Sequence, residues 1–274
     1  MQTTETLPVT EPYVLTDYDA RGVVRLTLNR PRQFNALSEE MLAALQAELD
    51  AIAANPQVRV VVIAGQGKAF CAGHDLKQMR ANPSQAYYED LFARCSHMMI
   101  TIQRLPQPVI ARVHGIATAA GCQLVAMCDL AVASEDATFA VSGISVGLFC
   151  STPAVALSRN IGRKAAFEML VTGDFIDART AQALGLVNRV VPPAGLDAEV
   201  ERLVDAIIAR PAEAIALGKS LFYRQIEMGI EDAYRLAGET MACNMMEPCA
   251  QEGVDAFIEK RAPTWATSSS SHKG

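Results

Sequence analysis

The β-branched run from Val58 to Ala64 is typical of a strand that is buried on both of its faces, and such a strand needs helices to cover it. Helical patterns flank this run along the chain. Ser38 precedes a first helix that ends at Asn55, and a second, longer helix is predicted over residues 84–105. The sequence therefore predicts an α/β protein.

Strand and helix patterns alternate as far as Pro193, and only helical patterns follow it, over residues 197–210, 212–228, 230–246 and 249–261. With 274 residues, of which 50% are hydrophobic and 20% charged, the chain can bury a large core. The change of pattern predicts three parts: a core over residues 1–200, a helical region over residues 201–266, and a disordered polar tail over residues 267–274.

Charge and composition argue against several classes of protein. Lys and Arg number 24 against 30 Asp and Glu, a net charge of −6 without a basic cluster, so no nucleic-acid partner is expected. The N-terminal residues lack the pattern of a secretion signal. The apolar stretch 113–133 is interrupted by polar residues, which favours a buried core over a membrane span. Seven cysteines without a C-x-x-C pair suit reduced thiols and predict a cytoplasmic protein.

No metal site or separate cofactor is predicted. The four histidines, His74, His97, His114 and His272, are scattered and form none of the spacings that bind metal ions. The chain contains neither the phosphate-loop motif nor the G-x-G-x-x-G fingerprint of dinucleotide binding.

Two glycine-rich segments, residues 69–76 and 114–124, each follow a predicted strand. Small residues at a strand-to-helix junction let a ligand approach the backbone, and the start of a helix offers free N–H groups. Two such junctions side by side could direct two N–H donors at one carbonyl oxygen and form an oxyanion hole. Close packing of helix on strand also demands small residues, so the spacing alone favours neither interpretation.

The motifs resemble those of the crotonase superfamily, that of the enoyl-CoA hydratases and isomerases. They occur in family order over about residues 12–265, at residues 29–31, 35–37, 70–76, 108–115, 128–130, 170–173, 183–187 and 253–261. Within the superfamily, residues 119–124 and 146–153 resemble one particular branch. The resemblance implies a crotonase-like spiral of ββα units, a C-terminal helical region that mediates trimerisation, and assembly as a homotrimer or homohexamer.

The resemblance also implies the site. Its substrate is an acyl-CoA thioester, so coenzyme A is part of the substrate and not a cofactor. By motif position, the backbone N–H groups of His74 and Ala120 form the oxyanion hole. The implied substrate-binding residues are Cys71, Ala72, Gly73, Asp75, Leu76 and Gly121, together with Phe257 and Lys260 beside a neighbouring subunit's site.

Two departures from the family pattern concern the catalytic carboxylates. Hydratases carry one glutamate at the position of Gln123 and a second at the position of Gly143. Hydration needs a base to activate water and an acid to protonate carbon, each worth about 10²–10⁴-fold in rate. A glutamine amide cannot take up a proton at neutral pH. We therefore expect poor or no ordinary hydratase activity.

Other residues could replace the carboxylates. The His74 side chain could contact a carboxylate, as the corresponding histidine of a crotonase-type decarboxylase would, and Cys150 lies where several family members place a catalytic side chain. Three functions remain open. The protein could be an enzyme that acts through a thioester enolate, a decarboxylase or thioesterase-like enzyme that uses His74, or a non-catalytic acyl-CoA binder.

Overall fold

The computed structural model describes residues 11–265. Ten strands lie in this part of the chain: β1 Val14–Tyr18, β2 Val23–Leu28, β3 Val60–Gly65, β4 Ala69–Cys71, β5 Val109–Val113, β6 Ile116–Thr118, β7 Leu130–Ser134, β8 Thr138–Ala140, β9 Ile176–Asp177 and β10 Arg189–Val191. They form one sheet in the order β1-β2-β3-β5-β7-β10 and a second in the order β4-β6-β8-β9.

Eleven α-helices connect and cover these strands in the described part: α1 Glu39–Ala53, α2 Leu76–Ala81, α3 Gln85–Arg104, α4 Ala120–Met127, α5 Ser151–Asn160, α6 Arg163–Thr172, α7 Ala178–Leu184, α8 Leu196–Ile208, α9 Ala212–Gln225, α10 Ile230–Met245 and α11 Pro248–Ile258. No helix among residues 11–265 combines the length and the apolar character that crossing a membrane requires.

Successive strand pairs wind the chain between the two sheets. β3, β5 and β7 lie side by side and parallel in the large sheet, whereas the strands that follow them, β4, β6 and β8, lie parallel in the small one. A helix follows each pair before the next turn begins. This arrangement is the predicted spiral of ββα units, and the predicted α/β fold is confirmed.

The strand β3 is buried on both faces, as its β-branched sequence predicts. Val61 and Ile63 belong to the main core beneath α1 and α3, whereas Val60 and Val62 pack in a second core against α8. Alternate side chains of a strand point to opposite faces, so apolar residues at every position fill both layers at once.

The predicted helix start at Ser38 is present. The Ser38 hydroxyl accepts a hydrogen bond from the Met41 N–H at 3.2 Å, and at the start of α7 the Asp177 carboxylate accepts one from the Thr180 N–H at 2.7 Å. These caps satisfy N–H groups that a helix start leaves free. The helix α4 begins at Ala120, within the second glycine-rich segment.

The last three helices are sparsely packed within the single chain. Only Ala233 of α10 and Ala256 of α11 are buried, and α9 contributes no fully buried residue. An ion pair fastens α9 to the core, because the Lys219 ammonium lies 2.6 Å from the Asp129 carboxylate. The boundary at residues 200 and 201 and the trimerising role of this region stay predictions. The predicted disordered tail, residues 267–274, lies outside the described residues.

Candidate active site

A cavity of about 680 Å³ opens beside the small sheet. Its walls come from the loop before α1, the segment from β4 into α2, the start of α4, and the segment between β8 and α5. Phe92 of α3 closes one side. Residues from the two glycine-rich segments therefore line the same space.

The two segments touch at Gly73. A Cβ atom on Gly73 would lie 3.0 Å from the backbone nitrogen of Ala120 and 2.9 Å from the Cβ of Ala119. Gly73 also has a φ of +86°, a conformation that side chains other than glycine rarely adopt. The glycine is required here because it brings the loop that carries His74 against the first turn of α4.

Two backbone N–H groups are free at this contact. Among the described residues, neither the N–H of His74 nor that of Ala120 donates to any carbonyl or side chain. Ala120 is the first residue of α4, where the helix leaves its N–H groups without intrahelical acceptors. Both residues line the cavity. A free N–H group beside a cavity can donate to an oxygen atom that carries negative charge.

Ala119 turns the chain into α4 with a strained backbone. Its φ of 51° and ψ of −122° lie outside the regions that L-residues favour. Such strain costs about 1–3 kcal/mol and persists only where the surrounding structure holds it. The backbone nitrogen of Ala119 donates to the Ala140 carbonyl at 3.0 Å, which fixes the turn against β8.

The loop that carries His74 is braced by the segment before α1. The Ala72 N–H donates to the Phe34 carbonyl at 3.0 Å, and the Leu37 N–H donates to the Gly73 carbonyl at 2.7 Å. The buried Asn35 amide donates to the carbonyls of Gln66 and Ala69, both at 2.8 Å. This asparagine lies in a family motif, but its clamping role could not be read from the sequence.

The His74 ring is enclosed next to the cavity. It packs edge-on against Phe92, with ring centroids 5.4 Å apart. Both ring nitrogens are buried, and neither has a hydrogen-bond partner among the described residues. Burial lowers the pKa of the imidazole, and the Leu37 backbone carbonyl opposes this shift only in part. The ring is therefore neutral at pH 7.

Neither Gln123 nor Gly143 carries an acid or a base. Gln123 is 4% exposed on α4, does not line the cavity, and has a buried Oε1 atom without a partner in the described part of the chain. Gly143 does line the cavity, but a Cβ atom there would lie 2.5 Å from the Leu148 carbonyl oxygen. The site therefore has no carboxylate at residue 123 or at residue 143.

Cys150 lines the cavity beside Gly143. Its side chain is buried, and burial raises the pKa of the thiol, while the Gly143 backbone opposes this only partly. A thiol whose pKa is raised is a weak nucleophile at neutral pH, because the reactive form is the thiolate. A chemical role for Cys150 stays a prediction.

The other predicted site residues fall into three groups. Ala72, Asp75 and Leu76 line the cavity, and the Asp75 carboxylate caps α2 by accepting from the N–H groups of Lys77 and Gln78. Cys71 and Gly121 lie behind the cavity wall, where β4 presses against α4. Phe257 and Lys260 lie far along the chain at α11 and do not line it.

Sequence analysis did not predict the apolar residues of the cavity wall, although three of them lie in the motif at residues 146–153. They are Phe34, Met79, Phe92, Val146, Leu148 and Phe149. A single apolar residue does not reveal from the sequence which surface its side chain faces. Among residues 11–265, no three His, Cys, Asp or Glu side chains are arranged to hold a metal ion.

The two sheets wound in ββα turns, with the cavity beside them, define the crotonase fold. The sequence profile of the enoyl-CoA hydratase/isomerase family matches residues 19–268. The chain belongs to this family.

Individual proteins and crystal structures to which the chain is similar support the same family. Enoyl-CoA hydratase domain-containing protein 3 of Xenopus laevis is 47% identical over 90% of this chain and 84% of that protein. A crystal structure of an enoyl-CoA hydratase from Mycobacterium smegmatis is 70% identical, with a TM-score of 0.92 over 93% of this chain and 99% of that one. The structure of human enoyl-CoA hydratase domain-containing protein 3 is 42% identical, with a TM-score of 0.89 over 92% of this chain and all of that one. The predicted branch of the superfamily is confirmed.

The predicted localisation is wrong by the same comparison. The relatives from Xenopus laevis and Homo sapiens, at 47% and 43% identity, are both named as mitochondrial proteins, which contradicts the cytoplasmic prediction. The prediction rested on reduced cysteines, and reduced thiols do not distinguish one reducing compartment from another.

Proposed function

We propose that this protein binds an acyl-CoA thioester in the cavity and stabilises the thioester enolate with the backbone N–H groups of His74 and Ala120. The contact between Gly73 and Ala120 supports the proposal, because His74 and Ala120 both line the cavity and neither N–H group donates elsewhere in the described part of the chain. A preorganised donor onto a developing oxyanion is typically worth about 2.7–4 kcal/mol of barrier.

The lining of the cavity limits the reaction. Neither Gln123 nor Gly143 can exchange a proton with water or with the α-carbon, so ordinary hydration lacks both its base and its acid. We therefore expect the rate of crotonyl-CoA hydration to be several orders of magnitude lower than that of a hydratase with both glutamates.

A non-catalytic acyl-CoA binder is the second candidate. The enclosed ring of His74 and the raised pKa of the Cys150 thiol favour it, because both His74 ring nitrogens are buried and the Cys150 thiol is not converted to the reactive thiolate at pH 7. Turnover of any acyl-CoA, including loss of CO₂ from a malonyl-type thioester, separates an enzyme from such a binder.

Assembly as a homotrimer or homohexamer belongs to the same proposal. Large apolar side chains stay exposed on the last helices of the single chain, among them Ile230, Tyr234, Met246 and Phe257, which are 71–85% exposed. Burial of such a surface between subunits is favourable. Light scattering at micromolar concentration should report a mass of three or six chains, and a monomer would contradict this part.

The polarised carbonyl is tested with a chromophoric thioester. Cinnamoyl-CoA absorbs at longer wavelength when its carbonyl oxygen accepts strong hydrogen bonds, so a red shift should accompany binding. Thermal unfolding provides the second readout, since ligand at about 100 times Kd adds about 2.7 kcal/mol of stability.

Gly73→Ala is the informative variant, because its methyl group would press on the Ala120 nitrogen. Gly162→Ala is the matched control, since a Cβ atom there would meet nothing within 4 Å. We expect the red shift to be lost in the first variant and kept in the second. Cinnamoyl-CoA that binds the unaltered protein without a red shift would refute the proposed donors.

A further inference from the structure

The charged residues that line the cavity come from only some of its walls. Arg32, Asp75 and Lys77 belong to the loop before α1 and to the segment from β4 into α2. The side of the cavity that residues 142–153 form contains no charged residue. A ligand with an anionic end and an apolar end would therefore meet a complementary surface only in one orientation.

The uncharged side presents three large apolar side chains to the cavity. Val146 is 67% exposed, Leu148 45% and Phe149 41%, and all three line the cavity. We call these three residues the apolar rim. Gly147, with a φ of +78°, turns the chain between them. Single exposed apolar residues are common, but three within four consecutive positions along one cavity indicate a surface that is covered in use.

Three polar side chains of the cavity wall are already engaged. The Asp75 carboxylate caps α2, the Ser142 hydroxyl lies 2.9 Å from the Thr118 hydroxyl, and the Ser151 hydroxyl donates to the Phe149 carbonyl at 3.3 Å. The His74 nitrogens are shielded beneath the surface. The apolar rim itself has no polar side chain, so it favours contact with methylene groups over contact with oxygen atoms.

From these observations we propose that the site selects thioesters of long hydrocarbon acyl chains over short ones, and that the tail of the long chain covers the apolar rim. The inference rests on the proposed function, since it presupposes that the thioester end lies at His74 and Ala120. The anionic phosphates of coenzyme A would then lie on the side of Arg32 and Lys77. Each methylene group moved from water onto the rim contributes up to about fourfold in affinity.

The experiment measures dissociation constants by calorimetry for free CoA and for acyl-CoAs of four, eight and twelve carbons, below their micelle concentrations. We expect the twelve-carbon thioester to bind at least 100-fold more tightly than the four-carbon one. In the double variant Val146→Ser with Phe149→Ser, the ratio of these two constants should fall at least tenfold. The control variant Val155→Ser with Phe167→Ser removes exposed apolar residues outside the cavity and should keep the ratio.

The experiment gives different results if the long-chain preference fails and if the proposed function fails. Equal binding of the short and long thioesters would overturn the long-chain preference but keep the site. Steep dependence on chain length that the rim variant does not alter would overturn the role of the apolar rim. A rim variant that changes the oligomeric state, with no dependence on chain length, would assign the rim to a subunit contact. No binding of any acyl-CoA would overturn both proposals.

Discussion

Gly143 and Cys150 approach so closely that a Cβ atom on the glycine would lie 2.7 Å from the cysteine Sγ. The same atom would lie 2.5 Å from the Leu148 carbonyl oxygen. Gly143 does not have a positive φ, so space and not backbone conformation excludes a side chain. The segment that follows Gly143 therefore leaves no room for a side chain at this position.

The first prediction concerns this contact. Gly143→Ala should lower the free energy of unfolding by about 1–3 kcal/mol, because overpacking forces the backbone of Leu148 to move. Urea unfolding measures the loss. Gly162→Ala, with open space at its Cβ, should lose only the cost of alanine at the N-cap of α6, about 0.5–1 kcal/mol. Adding Cys150→Ala to Gly143→Ala should recover part of the loss. If Gly143→Ala were as stable as the unaltered protein, the segment of Leu148 and Cys150 would have moved without cost. That result would contradict the prediction, and a glutamate could then be placed at residue 143.

The second prediction tests the strain at Ala119. Its φ of 51° suits glycine, so Ala119→Gly should raise stability by about 1 kcal/mol despite the usual entropic cost of glycine. Ala126→Gly, inside α4, should instead lose about 1 kcal/mol or more. Thermal and urea unfolding compare the two variants. A loss of similar size at both positions would mean that the turn into α4 is not strained.

The third prediction concerns the ion pair between Lys219 and Asp129, whose side chains are 7% and 13% exposed. The Asp129 carboxylate also accepts from the Val109 N–H at 2.7 Å and from the Tyr223 hydroxyl at 2.8 Å. Lys219→Met should cost about 3–5 kcal/mol, because it leaves a buried carboxylate without its cation.

A double variant separates the pair from its surroundings. Lys219→Met with Asp129→Asn removes both charges. We expect the double variant to lose less free energy of unfolding than the sum of the losses in the two single variants. Additive losses in urea unfolding would show that the two charges are not coupled.

The fourth prediction concerns pH. The pKa of His74 in the folded protein lies below its ordinary value of about 6.5, because the buried ring resists protonation. Between these two pKa values the unfolded chain binds more protons than the folded one, so stability rises with pH up to about 6.5 and is level above it.

Urea unfolding from pH 5 to 7.5 compares the unaltered protein with His74→Gln. The difference in stability should grow in favour of the unaltered protein as pH rises to about 6.5. Burial also lowers the pKa of His114, but that residue is present in both proteins and cancels. A difference that does not vary with pH would contradict an enclosed, neutral ring.

Much of the local structure could be predicted from sequence. The cap at Ser38 and the doubly buried strand β3 could be predicted because they depend on short stretches of neighbouring residues. The family motifs also identified the loop of His74 and the start of α4. By contrast, Asn35 reaches carbonyls more than 30 residues away, and no local pattern reveals such a partner.

The order of strands, helices and glycine-rich junctions, and the lack of glutamate at residues 123 and 143, were determined by the sequence alone, because propensity, capping and residue identity are local properties. Tertiary structure decided the rest. The approach of Gly73 to Ala120, of Gly143 to Cys150, and of Lys219 to Asp129 across 90 residues depends on how the ββα turns stack. Such contacts arise from packing between distant segments, and packing fixes both which backbone groups remain free and which side chains have no room.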